Sequence, residues 1–304
     1  MQANLKMLSC ALALACAIPL ASSAQTVTAS GDLQRFQPAG VPYTGFSAAS
    51  GDLIAPGDAV VGFHLDYARN PLVYIVDGQR QASTVANNLT LHLHWAMGLH
   101  ERFELSVGVP ITLFQNGDDP RVSDLAEQAV GDVRIRPRIQ ILRQWQNGIG
   151  LTFSPTITIP VSKKNAFSSE GSVRFLPELG ASWRGEKWFF SGDVLFRWRN
   201  ENTPVPKATL GSELELLLSV GRIVSKDVEL IGELNGGISF ATLSEGAKGN
   251  PLEGLFGVRW RSGESWTYHL LGGVGILGAA GVPDCRVVWG VMYGTGRPRP
   301  NGTC

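Results

Sequence analysis

The stretch that decides the fold is Arg102-Phe103-Glu104-Leu105-Ser106-Val107-Gly108-Val109-Pro110-Ile111-Thr112-Leu113-Phe114. Apolar residues occupy every second position from Phe103 to Leu113, and the positions between them are polar or small. A period of two sustained over this length is typical of a β-strand with two different faces, whereas a helix repeats every ~3.6 residues. Strands of soluble proteins have a mode of ~5–6 residues, but a tilted strand needs ~9–11 residues to cross hydrocarbon. The stretch therefore predicts a membrane-spanning strand.

The same alternation recurs on both sides of this stretch. Because an open sheet edge in lipid would leave backbone groups unpaired, a spanning sheet has to close. The fold predicted is all-β, an antiparallel up-and-down transmembrane β-barrel of about 12 strands within residues 57–293. The strands are expected near 58–68, 88–95, 102–114, 132–141, 149–159, 172–183, 187–199, 210–222, 227–240, 252–261, 265–277 and 285–293.

Short and long connections alternate between these strands, as in outer-membrane barrels, which place short turns in the periplasm and longer loops outside. Short turns are expected at sites such as Gly185–Glu186, and longer loops at sites such as 69–81 and 161–171. An even strand number then places both chain ends on the periplasmic side. Residues 25–56 are predicted to be an N-terminal leader with one short strand near 44–50, and residues 294–304 a short periplasmic tail.

Residues 1–24 have the pattern of a secretory signal peptide: Lys6, an apolar run from Met7 to Leu20, and small residues ending at Ala24. Export and the barrel together predict the outer membrane of a Gram-negative cell. After cleavage, Cys285 and Cys304 remain as an even pair in an oxidising compartment. They form either a disulfide or two free thiols near a frayed chain end.

The composition excludes several classes of function. Lys+Arg and Asp+Glu are both 26, so the chain has no net charge that would attract nucleic acid. Cysteine and histidine spacings of metal sites are missing, so no metal and no cofactor is expected. The partners expected are outer-membrane lipid, the barrel-assembly machinery and small solutes or ions. The last strand supports the assembly partner because Val288-Trp289-Gly290-Val291-Met292-Tyr293 ends on an aromatic residue.

Several short motifs lie between residues 36 and 293. They are Phe36-x-Pro38, Tyr67-Ala68-Arg69-Asn70-Pro71-Leu72-Val73, Phe103-x-Leu105-x-Val107-x-Val109-Pro110, Gly131-Asp132-Val133-Arg134, Pro155-x-x-x-x-Pro160 and Gly211-x-Glu213-Leu214. Together they resemble the barrel region of large OmpA-family outer-membrane proteins of myxobacteria and their relatives. The resemblance implies a barrel in the outer membrane and offers no catalytic residues. In that family an acidic linker and a peptidoglycan-binding domain follow the barrel, and Gly294–Cys304 is too short to be either.

If the apolar face meets lipid, the polar face lines the lumen. Twelve strands leave an interior between filled barrels of ~8 strands and open porins of ~16. One hypothesis is a transverse field across a narrow wet pore, set up by three arginines on one strand and acids on two others. The alternative is a network of Arg–Glu pairs that fills the interior. The charged residues predicted to line the lumen are Arg102, Glu104, Arg134, Arg136, Arg138, Arg197, Glu213, Glu215, Glu229 and Glu233.

The function predicted is a small passive pore or a structural envelope protein, not an enzyme. The alternatives are a surface adhesin acting through the loops and an outer-membrane hydrolase. His92 and His94 point to the lumen near Ser106 on the adjacent strand. No third group that would orient a base is evident, so we favour ordinary polar lining over catalysis.

Overall fold

The structure is a computed structural model that describes residues 31–43, 45–49, 51–76, 79–120, 122, 125–161, 166–199, 203–205, 208–240 and 250–294. Its main feature is a closed antiparallel barrel of twelve strands. These strands are β2 (Ala59–Val76), β3 (Gln79–His100), β4 (Phe103–Asn116), β6 (Val133–Leu142), β7 (Gly150–Ile159), β9 (Arg174–Arg184), β10 (Trp188–Arg197), β13 (Glu213–Ile223), β14 (Val228–Ser239), β15 (Leu252–Ser262), β16 (Trp266–Leu277) and β17 (Cys285–Gly294).

Each barrel strand pairs with its neighbours in the chain, and β17 pairs with β2 to close the cylinder. The predicted fold class, an antiparallel barrel of twelve strands, is confirmed. The predicted loop at 69–81 is wrong in part, because β2 and β3 continue as a paired ribbon to Val76 and Gln79. The ribbon extends beyond the level of its neighbours, where lipid no longer requires the apolar alternation by which the sequence locates strands.

The outer surface of the barrel is apolar. On β15, Phe256 and Trp260 are exposed, whereas Leu255 and Arg259 are buried in the interior. Other strands repeat this arrangement, and together they leave a continuous apolar belt that a soluble monomer does not expose. Aromatic residues lie toward both rims of the belt, where amphipathic rings meet lipid headgroups; they include Tyr67, Phe114, Trp183, Trp188, Trp198, Trp260 and Trp266.

The remaining elements are short and lie at the barrel ends. They are β1 (Gly31–Asp32), which pairs with β8 (Ser168–Ser169); β5 (Ala129–Val130) beside β4; the hairpin of β11 (Thr203–Val205) and β12 (Ala208–Leu210); and the one-turn helix α1 (Gln144–Asn147). Among the described residues, no helix has the length and apolarity needed to cross a membrane.

Two local features shape the wall. Pro137 of β6 faces Pro155 of β7, so that pair has no N–H donors, and the ladder is interrupted between Ile135↔Ile157 and Ile139↔Phe153. On the inner side, Gly221 leaves room for a neighbouring ring, because a Cβ there would lie 1.9 Å from Cζ of Phe189. Gly232, by contrast, has only ordinary contacts, the nearest at 3.9 Å.

The leader lies inside the barrel. We call the end with the connections 185–187 and 263–265 the turn end, and the end with 160–173 and 278–284 the loop end. Residue 31 pairs with Ser169 at the loop end, and Ala59 starts the wall at the turn end. Residue 31, the first that the structure describes, therefore lies at the loop end, and the prediction that both chain ends lie on the periplasmic side concerns residues outside the described part of the chain.

The leader takes an irregular path rather than forming the short strand predicted near 44–50. From Gly31 it descends past the middle of the lumen to Pro42 and Tyr43 at the turn end, rises to mid-depth at 46–49, and returns at Gly51. Strand formation there would need a neighbouring edge, and every edge of the barrel wall is already paired. Residues 1–24 and 295–304 lie outside the described residues, so the signal peptide and the tail stay predictions.

Candidate functional site

The lumen is filled by residues 31–56, which we call the plug. Three apolar clusters anchor it to the wall. Leu33 packs with Leu72 and Val85 near the loop end. At mid-depth and at the turn end, the plug contributes Phe36 and Phe46 to one cluster, and Val41, Tyr43 and Ile54 to another. Burial of each large apolar side chain stabilises the plug inside the barrel by about 1.5–3 kcal/mol.

Wall carboxylates accept hydrogen bonds from the plug backbone. Glu233 of β14 accepts from the N–H groups of Phe46 and Ser47 and, at 2.6 Å, from the Ser47 hydroxyl. Asp193 of β10 accepts from the N–H of Ala49. Closer to the turn end, Gly51 donates to Ser182 Oγ at 2.7 Å and Ile54 to Glu104 at 2.8 Å. Four wall side chains thus satisfy five buried amides of a segment with no ladder of its own.

Guanidinium groups donate to the plug carbonyls on the other side of the bend. Arg184 of β9 donates to the carbonyl of Tyr43 at 2.6 Å, and Arg259 of β15 to that of Gly45 at 2.9 Å. Arg261 reaches the Pro42 carbonyl at 3.4 Å. Their shared counter-ion is Glu229, which forms ion pairs with all three arginines. The cluster therefore fixes three donors around one buried carboxylate and directs them at the plug.

One of the ten charged residues predicted to line the lumen lies outside it. Arg102 is exposed in the turn between β3 and β4, because β4 begins one residue later than the alternation suggests. The other nine face the interior, where each is paired with a neighbour. The pairs are Arg138–Glu104 at 2.9 Å, Arg136–Glu178, Arg197–Glu215 at 2.6 Å, Arg134–Asp32 at 3.5 Å, Arg35–Glu213 at 2.7 Å, Glu229 with its three arginines, and Glu233 with the plug backbone.

This pairing contradicts the transverse-field hypothesis. The three arginines of β6 are neutralised by acids on the plug and on nearby strands, not left to face distant acids across water. Arg138 and Glu104 are completely buried, as are Arg259 and Glu229. Burial favours such pairing because an isolated charge in a low-dielectric interior is very costly. The alternative, a network of Arg–Glu pairs that fills the interior, describes the structure better. The sequence did not predict that the plug takes part in this network.

Four histidines, His64, His92, His94 and His269, line the lumen, and two of them contact aromatic rings of the plug. His64 Nε2 and His269 Nδ1 are 2.9 Å apart, and the rings of His64 and His94 stack. Phe36 meets His92 edge-on at 6.0 Å, and Phe46 meets His269 at 5.3 Å. The residues that the structure describes include no group of three or more His, Cys, Asp or Glu that could hold a metal ion.

The geometry of the site does not support the hydrolase alternative. Ser106 donates its hydroxyl hydrogen bond to the carbonyl of Arg136 at 3.3 Å, and His92 lies 3.6 Å from Asp66. The serine is thus engaged with the main chain, and the histidine ring faces a different group. A nucleophile needs a base within hydrogen-bond reach, and this geometry does not supply one.

Asp32 marks the loop end of the plug. Its carboxylate lies 3.5 Å from Arg134 and accepts the N–H of Gln34 at 2.9 Å. Burial raises the pKa of the Asp32 carboxyl from its ordinary 3.8 to about 6, although Arg134 and Arg197 favour the ionised form. Asp32 is therefore a plug group whose pKa, at about 6, lies within the range of pH a bacterial envelope meets.

Two small cavities lie between plug and wall. A cavity of about 30 Å³ lies beside Pro42 and Tyr43 at the turn end, and one of about 20 Å³ lies beside Leu33 and Gln34 toward the loop end. A cavity needs about 10–15 Å³ of such volume to hold a water molecule. Each of these two therefore holds at most a few waters.

Sequence reasoning missed the plug and the wall residues that hold it. Alternation places Asp193 and Arg259 on the inner face, but it cannot show that their partner is the leader. The available signal was apolar: Phe36, Tyr43 and Phe46 are large side chains for a linker rich in glycine and proline. Cys285 begins β17 at the loop end, and Cys304 lies outside the described residues, so their pairing stays a prediction.

Neither a protein-family model nor a curated protein matches the sequence. Solved structures match the fold. The COG4313 outer-membrane channel from Pseudomonas putida F1 aligns with a TM-score of 0.58 and 13% identity over 90% of this chain and all of that one. The NanC porin aligns with a TM-score of 0.49 and 11% identity over 77% of this chain and 98% of its own. The toluene transporter TodX of Pseudomonas putida gives 0.45 and 9%, over 88% of this chain and 100% of its own. The chain therefore has the fold of outer-membrane channel barrels.

Proposed function

We propose that this protein is an outer-membrane channel held closed by its own plug, and that small solutes or ions pass when the plug leaves the lumen. One observation carries the proposal: a complete polar-lined cylinder is obstructed by a segment that is not part of its wall. A barrel that served only as a structural element could fill its interior with wall side chains, as ~8-strand barrels do.

The way the plug is held supports its displacement. Wall strands are joined by continuous backbone ladders, whereas the plug is held mainly by side-chain bonds to its backbone and by three apolar clusters. Local opening is expected where contacts are fewer and separable, so the plug can leave without unpairing the wall. The COG4313 protein shares the fold, and its being an outer-membrane channel supports the same activity here.

The location and partners form part of the proposal. The apolar belt requires lipid around the barrel, and a barrel of this kind belongs in the outer membrane. We include the barrel-assembly machinery as a partner because β17 ends on Tyr293 and Gly294 beside the first strand, β2. The finer likeness to OmpA-family barrels is retained as a proposal of shared barrel architecture, without a cell-wall role.

The test uses the full-length chain with one substitution in the plug. A Cβ at Gly45 would lie 2.1 Å from Glu233 Oε1, so Gly45→Val should expel this part of the plug. In planar bilayers we expect the unmodified protein to be closed most of the time and Gly45→Val to conduct. Gln37→Ala, a half-buried position of the same segment, should behave like the unmodified protein.

Folding is checked by the heat-modifiable gel migration of barrels. If Gly45→Val does not fold, Gly51→Val replaces it, since a Cβ at Gly51 would lie 2.3 Å from the main chain of Gly150. A folded variant whose plug is displaced but which passes no ions would refute the channel.

A further inference from the structure

We infer that the turn-end half of the lumen is a binding site for a bent polypeptide segment, and that the channel's cargo is a peptide rich in small residues. The inference rests on the proposed function and names the class of ligand. The plug, which belongs to the same chain as the barrel, would then occupy a site that a separate polypeptide can also occupy. The observations that carry it are which plug groups the wall contacts and how little room surrounds them.

The wall contacts groups that every polypeptide has. Between Pro42 and Ile54, nine main-chain groups are hydrogen-bonded to wall side chains. The carbonyls are those of Pro42, Tyr43, Gly45 and Gly51, which accept from Arg261, Arg184, Arg259 and Gln140. The amides are those of Phe46, Ser47, Ala49, Gly51 and Ile54, which donate to Glu233, Asp193, Ser182 and Glu104.

The order of these groups gives the site a direction. Arginine donors meet the carbonyls of Pro42, Tyr43 and Gly45 on one side of the bend, and acids meet the amides of Phe46, Ser47, Ala49 and Ile54 on the other. A small anion offers no donor to the buried carboxylates, and a free cation offers no acceptor to the guanidinium groups. A polypeptide offers both kinds of group along one chain.

The fit also selects small side chains. A Cβ on Gly45 would meet the Glu233 carboxylate, and one on Gly51 would meet the Gly150 main chain. Ala48 and Ala49 have no exposed surface at all. The site therefore accepts a peptide with small residues at the positions of Gly45, Ala48, Ala49 and Gly51. At these positions the backbone lies so close to the wall that a branched side chain has no room.

The experiment adds peptides to the conducting Gly45→Val protein in planar bilayers. The probes are a synthetic peptide with the natural sequence of residues 40–56, the same peptide with valine at the positions of Gly45 and Gly51, an unrelated Gly/Ala/Ser-rich peptide of equal length, and a neutral oligosaccharide of similar mass. We expect the first and third peptides to block the current at concentrations within about tenfold of each other. The valine peptide should need at least tenfold more, and the oligosaccharide should not block.

A wall substitution provides the matched control. Adding Glu233→Gln to the Gly45→Val protein should weaken block by the natural peptide about tenfold, whereas adding Glu178→Gln, which alters a pair between wall strands, should not. A conducting protein that no peptide blocks, or that the oligosaccharide blocks equally well, would overturn the peptide site and leave the channel intact. Block by the natural peptide alone would overturn the cargo class. A folded variant without current would instead refute the proposed function.

Discussion

Replacing Glu233 by glutamine should open the channel, because this wall side chain holds the plug backbone directly. The Glu233 carboxylate accepts two plug amides and the Ser47 hydroxyl, and a hydrogen bond to a charged group contributes about 1.5–3 kcal/mol net. Glutamine keeps one oxygen acceptor and directs an NH₂ group at the remaining donors. We therefore expect a loss of about 2–4 kcal/mol, reduced toward about 2 kcal/mol because a neutral side chain is easier to bury.

That free energy corresponds to about a 30-fold rise in the ratio of open to closed protein, since about 1.4 kcal/mol is a factor of ten. The measurement is single-channel open probability. A second readout is the rate at which maleimide labels Ala39→Cys, a position buried in the closed state, with Cys285 and Cys304 replaced by serine. Glu178→Gln is the control. Equal effects of the two substitutions, or no effect of Glu233→Gln, would show that the carboxylate does not hold the plug.

Three further outcomes follow from the structure. Because the pKa of Asp32 is about 6 in the closed state and 3.8 ordinarily, its contribution to plug closure is full below pH 4 and is lost as pH rises through 6. Open probability should thus rise by up to about a hundredfold between pH 4 and 8, and Asp32→Asn should flatten that profile. Pro137→Val supplies a donor opposite Pro155 and should raise the temperature of the heat-modified gel shift by a few degrees; an unchanged or lower temperature would contradict this account of the interrupted ladder. Gly221→Ala should reduce the yield of folded barrel several-fold because its Cβ meets a buried ring, while Gly232→Ala should not; equal yields would contradict the inner packing.

The wall could be predicted from the sequence because each strand carries its own signal. The alternation at 149–159 and 285–293 matches Gly150–Ile159 and Cys285–Gly294 closely. Lipid on one side and polar groups on the other impose a period of two on every spanning strand, so a local pattern suffices. The signal fails beyond the lipid, as in the ribbon of β2 and β3, and at strand ends, as at Arg102.

The plug could not be predicted in this way because its conformation depends on distant residues. Its backbone is bonded to side chains 50 to 219 positions away in the chain, such as Glu104 for Ile54 and Arg261 for Pro42. Its own sequence is rich in glycine, proline and alanine, which indicates a linker when no partner is known. The charges of the lumen were expected either to face each other across a pore or to pair within the wall, whereas they pair across strands and onto the plug.

The course of the leader restricts the order of assembly. In chain order, the leader runs from the loop end of the barrel to the turn end before the first wall strand begins. The pairing of β17 with β2 then closes the barrel around it. A barrel that zipped shut with its leader outside would have to thread an irregular chain, bend included, through a finished tube. This obstacle does not arise when residues 31–56 enter the barrel before β17 pairs with β2. The segment that enters the barrel during assembly would then be the one that leaves the lumen when the channel opens.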